Sequence, residues 1–289
     1  MTSPPYWGLR DYGEDGQLGL EKTPEEYVEK MVAGFREVRR VLRDDGTLWL
    51  NLGDSYNSSS GFSRADEQWA REGRDGGAND KKSIKHPNIK VKDLVGIPWM
   101  VAFALRADGW WLRQDIIWHK PNPMPESVTD RCTKSHEYIF LMSKSKQYYY
   151  DNEAIKEEAI APDVKHKSTT KTDEQKSAFL GHAPTNLGRC GTNEDGTRNK
   201  RSVWTVTTKP FSGSHFATFP EDLIEPCIKA GCPEGGTVLD PFFGAGTTGV
   251  VCEKWGRNCI GIELNETYIT EIIKPRIAEE KDKMGLFPE

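Results

Sequence analysis

The sequence predicts an α/β protein with an inserted polar region, and three observations carry that reading. Residues 235–265, GGTVLDPFFGAGTTGVVCEKWGRNCIGIELN, read as a strand, a glycine-bearing turn, a helix and a second strand. Residues 23–52 read as an amphipathic helix followed by a buried strand, and between about 151 and 209 apolar residues thin out while charge rises. A chain of 289 residues with 36% hydrophobic content can bury a substantial core, as one large domain or as a domain carrying a lobe.

Taken in order, residues 23–43 form the clearest helix. Thr23 can cap it, Pro24 suits the first turn and Glu26 completes a T-x-x-E capping box, while Tyr27, Met31, Phe35, Val38 and Leu42 recur at helical spacing. Asp45-Gly46 ends it, and TLWLNL (47–52) follows as a buried strand. From about 55 to 93 the chain is polar and glycine-rich, with little means to build a core, which predicts a mobile loop. Residues 98–107 suit a helix that Gly109 breaks, and WWLRQDIIW (110–118) alternates like a strand. KPNPMPES (120–127) is excluded from regular structure, because each proline lacks an amide donor and biases its predecessor toward extended conformations. HEYIFLMSKS (136–145) resumes an apolar strand. This divides the chain into a first half (1–150), a lobe (151–209) and a second half (210–289).

Composition excludes several classes. No run of about 18 apolar residues crosses a bilayer, and no basic segment followed by a hydrophobic one opens the chain as in a signal peptide, which predicts a cytoplasmic protein with no membrane partner. The six cysteines (132, 190, 227, 232, 252 and 259) include no C-x-x-C pair and read as reduced thiols, mostly buried. Cys132 and His136 lack a second pair of ligands, so no metal is expected. A net charge of -5 argues against a uniformly basic coat, yet local patches exist. Residues 162–209 hold nine Lys or Arg against five Asp or Glu, and Lys81, Lys82, Lys85, Lys90 and Lys92 form a second group.

The segment 235–265 carries chemistry. Its turn lets a ligand approach backbone amides at a helix N-terminus, and an acid at the end of the next strand, Glu263, can bind ribose hydroxyls. A nucleoside-containing cofactor is implied. Gly244 to Gly249 also satisfies the G-x-G-x-x-G dinucleotide pattern, but Asp240-Pro241 directly before the turn would repel a pyrophosphate. S-adenosylmethionine presents an ammonium and a sulfonium at that end and fits the charge.

TSPPYWGLRDYG (2–13) together with DPFFGAGTTGVV (240–251) resembles the site-specific DNA amino-methyltransferases, which methylate N4 of cytosine or N6 of adenine; the motif order resembles their beta class. LNLGDSY, GWWLRQDIIWHKPNPMPES, SHEYIFLMSKS and HFATFPEDLIEPCI also resemble family segments, so the likeness spans nearly the whole chain. The resemblance implies a Rossmann-like class I methyltransferase sheet in circularly permuted motif order, with 151–209 as an inserted target-recognition region. It implies double-stranded DNA as substrate, S-adenosylmethionine as methyl donor and a companion restriction endonuclease as a possible partner. It places catalysis on Ser3, Pro4, Pro5 and Tyr6, and cofactor binding on Asp240, Pro241, Phe242, Gly244, Gly246, Thr247, Thr248, Glu263 and Phe219. His136 and Glu137 are read as structural.

An exocyclic amino group is a poor nucleophile because its lone pair is delocalised into the ring. Acceptors aimed at its two protons, the Ser3 hydroxyl and the Pro4 carbonyl, relieve this, and the proline pair stiffens the loop. Tyr6 would stack on a base that has left the duplex. Serine in the first position resembles the cytosine enzymes more than the adenine enzymes, with adenine N6 as the alternative. In relatives the catalytic loop hangs from a central strand, whereas only Met1 and Thr2 precede Ser3 here; that strand would lie between TVLD and TLWLNL, so unpaired backbone groups are expected at mid-sheet. A chain cut short, a fragment completed by another chain and a catalytically silent DNA binder are the three explanations, with the first favoured.

Overall fold

The computed structural model describes residues 1–9, 11, 13–14, 16–57, 88–159, 196–208 and 218–285. Lys81, Lys82, Lys85, Cys190 and most of the basic run after residue 162 lie outside the described residues, as does most of the loop expected at 55–93. Met1–Tyr150 with Ser202–Glu289 forms one compact unit and Asp151–Arg201 a second.

In the larger unit, α1 spans Pro24–Val41 and begins as its sequence dictates: the Thr23 hydroxyl accepts from the Glu26 amide at 3.1 Å. The capping box is not closed reciprocally, since the Glu26 carboxylate takes the amide of Lys22 instead. Pro24, Tyr27, Met31 and Phe35 form its buried stripe. Strand β1 (Thr47–Leu52) follows, then α2 (Ile97–Ala107), β2 (Trp111–His119) and β3 (His136–Ser143). Helix α2 lacks a side-chain cap of its own. Asp54, just past β1, supplies one, accepting from the amides of Gly96 and Ile97 at 2.9 and 3.1 Å.

Strand β3 lies between β1 and β2 and is antiparallel to both, while a short β6 (Val203–Thr205) adds to β2 in parallel, giving the order β1-β3-β2-β6. That last strand falls within the span 151–209 that the sequence reads as a lobe, yet it belongs to the main sheet. Alternation along β1 sends Leu48, Leu50 and Leu52 into one core with Tyr27, Met31, Phe35, Val101, Leu105, Phe140 and Met142. Truncating one such side chain, as in Phe35→Ala, costs about 3–5 kcal/mol. On the opposite face Trp49 meets Trp204 and Tyr150, with ring centroids 6.4 and 6.2 Å away.

Helix α3 (Glu221–Gly231) leads to β7 (Thr237–Asp240), α4 (Thr247–Lys254) and β8 (Asn258–Gly261). A short α5 (Glu266–Tyr268) runs through a π-helical segment, Ile269–Ile273, into α6 (Lys274–Gly285). Strands β7 and β8 pair in parallel as a separate two-stranded sheet. One residue stands between the sheets: Thr2 bridges Leu50 in parallel, donating its amide to Trp49 O and accepting from the Asn51 amide, both at 3.0 Å. Its backbone thus pairs with β1 alone, and only its side chain reaches β7, at Asp240.

The smaller unit holds two short antiparallel strands, β4 (Glu157–Glu158) and β5 (Thr197–Arg198). Glu157 accepts from Arg198 and Arg201 at 2.9 and 2.6 Å. Of the thiols expected to be mostly buried, Cys227, Cys232 and Cys252 are buried, Cys259 is half-buried and Cys132 is exposed.

Candidate methyl-transfer site

The two motif-bearing corners converge on Asp240, the last residue of β7, which is 1% exposed. Its Oδ1 accepts from the Thr2 hydroxyl at 2.5 Å, across 238 residues of sequence, and from the Phe242 amide at 3.1 Å. Its Oδ2 accepts from the Thr248 hydroxyl at 2.7 Å. Burial pushes the Asp240 carboxyl above its ordinary range, against the N-terminal ammonium first and these bonds after it, which favour the charged form.

The turn after Asp240 has the backbone that only glycine adopts readily. Gly244 and Gly246 have φ of 51° and 74°, and Gly246 is the N-cap of α4. A Cβ on Gly244 would meet nothing nearer than Phe242 O at 4.0 Å, so the turn is open on that side. A Cβ on Gly246 would sit 3.1 Å from Ile273, the buried residue that the π-helical segment turns inward. Glu263, beyond β8, accepts from the Gly244 amide at 2.8 Å and from the Asn265 amide at 3.0 Å, so the predicted ribose-binding acid stands against the glycine turn. Thr247 and Thr248 open α4 and are buried, while Pro241 and Phe242 are half-buried. The Phe242 ring packs on Phe35 of α1 with centroids 6.4 Å apart. Phe219 is half-buried in the extended lead into α3. These features suit a nucleoside cofactor with a cationic tail: an acid for the tail, an open glycine turn at a helix start and a second acid for the sugar.

Ser3, Pro4, Pro5 and Tyr6 follow Thr2 directly, so the contact with Asp240 fixes where this loop begins. The Pro5 carbonyl accepts from the hydroxyl of Tyr27, a fully buried residue of α1, at 2.8 Å. Trp7 is buried and donates its indole N–H to Glu21 O at 3.0 Å. Tyr6 is anchored at its far end, its hydroxyl 2.7 Å from Glu137 Oε2 and 3.1 Å from Asn51 Oδ1. Burial, then the Glu137 carboxylate, push its phenol well above the ordinary range, so it stays protonated. The Tyr6 ring lies close against Gly53: a Cβ there would be 2.5 Å from Cε2.

The sequence reading did not single out Asn51 or Gly53, and it gave Glu137 a structural role. SHEYIF is the signal that held Glu137, but its partner Tyr6 lies 131 residues away. His136 packs edge-on to Tyr138 at 5.3 Å, and its imidazole is shifted down by burial first and by Lys134 second. Among the described residues no group of three metal-ligating side chains exists, and no helix is long and apolar enough to cross a membrane.

Comparison with known proteins bears on this geometry. Type II methyltransferase M.SmaI of Serratia marcescens is 50% identical over 277 residues, covering 96% of this chain and 82% of its own length. M.Cfr9I of Citrobacter freundii is 48% identical, covering 93% and 77%. Among solved structures, the cytosine-N4-specific PvuII DNA methyltransferase is similar with a TM-score of 0.58 and 17% identity, covering 98% of this chain and 84% of its own. A DNA modification methylase of Thermus thermophilus, TTHA0409, solved with S-adenosyl-L-methionine, gives 0.54 and 21%, covering 96% and 84%. These likenesses show the fold, a class I methyltransferase sheet. The DNA methylase model for N6 and N4 methyltransferases matches residues 1–274, and the chain belongs to that family.

Proposed function

We propose that the chain transfers a methyl group to N4 of cytosine in a specific DNA sequence, with Ser3, Pro4, Pro5 and Tyr6 as the catalytic loop. The observation that carries this reading is the bond from Thr2 to Asp240, which sets the loop beside the cofactor turn. S-adenosylmethionine supplies the methyl group on a sulfonium. Asp240 would receive its ammonium end, Gly244, Gly246, Thr247 and Thr248 would shape its bed, Pro241, Phe242 and Phe219 would flank it, and Glu263 would hold the ribose.

The loop acts on the amino group of a base turned out of the duplex. Ser3 and the Pro4 carbonyl accept hydrogen bonds from its two N–H groups, which draws the lone pair out of the ring; the nitrogen would then bond to the methyl carbon as the carbon–sulfur bond breaks, with the neutral thioether leaving and one N–H proton passing to solvent. Tyr27 fixes the Pro5 carbonyl, so the loop reorganises little as the bond forms. Serine at the first position, and likeness in fold to a cytosine-N4-specific enzyme, support cytosine over adenine. The region 151–209 is assigned to target recognition, its basic residues to phosphates and its polar ones to base edges. The Type II names of the relatives support a cytoplasmic role beside a restriction endonuclease acting on the same sequence.

The test is incubation of purified protein with tritiated S-adenosylmethionine and unmethylated duplex DNA. Label enters the DNA with wild type and not with Ser3→Ala or Asp240→Ala. Label in DNA with Ser3→Ala at the wild-type rate would remove the catalytic assignment.

A further inference from the structure

A serine hydroxyl can present either its proton or its lone pairs to a neighbour, and only the lone pairs assist an amino nucleophile. The structure holds a device that decides between them. Ser3 Oγ lies 3.5 Å from the Tyr6 hydroxyl, with Ser3 as donor. The Tyr6 hydroxyl has one proton and two acceptors in range. Glu137 Oε2 at 2.7 Å is a carboxylate, and Asn51 Oδ1 at 3.1 Å is a neutral amide oxygen, so the shorter, charge-assisted bond takes the proton. Asn51 is turned by its own donors, its Nδ2 giving to Tyr138 O at 3.0 Å and to Glu137 Oε2 at 3.3 Å. The other carboxylate oxygen, Glu137 Oε1, is paired with Lys120 Nζ, whose ammonium also lies 4.1 Å from the centre of the Trp118 ring. The side chains of this pair are only 15% and 19% exposed, so solvent screens it weakly.

We propose that Glu137, held in place by Lys120, sets the direction of a hydrogen-bond chain from Ser3 to Tyr6 to Glu137, so that Ser3 offers its lone pairs to the target amino group. The proposal rests on the methyl-transfer reading above. Glu137 and Lys120 are positioning residues in this scheme: Glu137 touches Tyr6, Lys120 touches Glu137, and both act on the base only through Ser3. Tyr6 gains a second task beside stacking, because a phenol whose proton is committed to Glu137 leaves its oxygen free to accept from Ser3. The device also explains why the tyrosine ring is clamped. Gly53 lies close against the ring, and the hydroxyl at its tip is held between Glu137 and Asn51.

Single-turnover methyl transfer to unmethylated DNA tests this with Glu137→Gln, Tyr6→Phe and the double variant. Glu137→Gln keeps the shape but removes the charge that orders the chain; Tyr6→Phe keeps the ring and the ion pair. Each lowers the rate by roughly 10–100-fold, the range typical of groups that orient a direct participant. Affinities for S-adenosylmethionine and DNA stay within about twofold, and the double variant is no slower than the slower single one. A merely structural Glu137 would instead weaken both affinities together, whereas a lower melting temperature follows in either case from breaking the pair with Lys120. Rates within about twofold of wild type, or effects that add in the double variant, would overturn the proposal. Should Glu137→Gln fail to fold, Tyr6→Phe alone decides on the same criterion. Ser3→Ala separates the layers: an active Ser3→Ala overturns the site assignment and this proposal together, whereas an inactive Ser3→Ala beside fully active Glu137→Gln and Tyr6→Phe overturns this proposal alone.

Discussion

Replacing Gly53 by alanine adds one carbon against the Tyr6 ring and isolates the importance of where that ring sits. The new Cβ would lie 2.5 Å from Cε2, 2.9 Å from Cδ2 and 3.3 Å from Cζ. Carbon atoms pack at about 3.5–4.0 Å, so the ring has to retreat by roughly 1 Å. It cannot simply swing away, because its hydroxyl is tied to Glu137 and Asn51 and its backbone follows the Pro4-Pro5 pair. The backbone itself accepts the change, as Gly53 does not occupy the left-handed region. Substitution at such a position stabilises by about 0.4–1 kcal/mol through the unfolded chain, offsetting part of the strain. A misplacement of about 1 Å in a catalytic loop costs on the order of 100-fold in rate. Single-turnover transfer of tritiated methyl groups reads that loss, with thermal unfolding and S-adenosylmethionine binding as controls. A Gly53→Ala protein that methylates within about threefold of wild type would refute the claim that Tyr6 is held at a fixed place.

Further substitutions probe other links. Thr2→Val keeps the shape but removes a bond to a buried carboxylate, a loss of about 1.5–3 kcal/mol, and weakens S-adenosylmethionine binding about tenfold by titration calorimetry. Tyr27→Phe frees the Pro5 carbonyl and lowers the transfer rate at unchanged cofactor affinity; equal weakening of both would mean that the bond serves only stability. Gly246→Ala forces a left-handed alanine 3.1 Å from Ile273 and costs about 1–3 kcal/mol, read as a lower melting temperature with lost cofactor binding. In the smaller unit, burial pushes the Glu157 carboxyl up, and bonds from Arg201 and Arg198 outweigh it, holding the pKa below its ordinary 4.5. A depressed acid contributes stability above its unfolded pKa and loses it as pH falls through the folded one. Amide exchange in 151–159 and 196–201, corrected for intrinsic rates, therefore rises on acidification below pH 4.5, and Glu157→Gln abolishes that dependence.

What could be read from sequence divides along physical lines. Helix α1 was legible because cap, first-turn proline and apolar spacing are all local, and only the far end of the capping box went elsewhere, from Glu26 to Lys22. The turn at 240–249 was legible for the same reason: an acid, glycines and a helix start lie within ten residues. The acid at the next strand's end, Glu263, was found by rule and does face Gly244. Strand β6 was not legible. Three residues show no period, and their pairing partner, β2, lies far back in the chain. Asp54 capping α2 escaped notice because the two are separated by more than forty residues. Glu137 was read as structural since nothing beside it in sequence is its partner: Tyr6, Asn51 and Lys120 reach it from three other segments. Conversely, the gap between TVLD and TLWLNL was inferred from motif order alone; Thr2 pairs by backbone with Leu50 of the second strand and reaches Asp240 of the first only through its side chain.

The loop led by serine is proposed to methylate the exocyclic nitrogen of cytosine. Mass spectrometry of nucleosides from plasmid DNA, prepared in a methylation-deficient host expressing the chain, addresses it directly. The account predicts N4-methylcytosine in the wild-type sample and none with Ser3→Ala. N6-methyladenine in its place, or a methylated base that persists with Ser3→Ala, would contradict it.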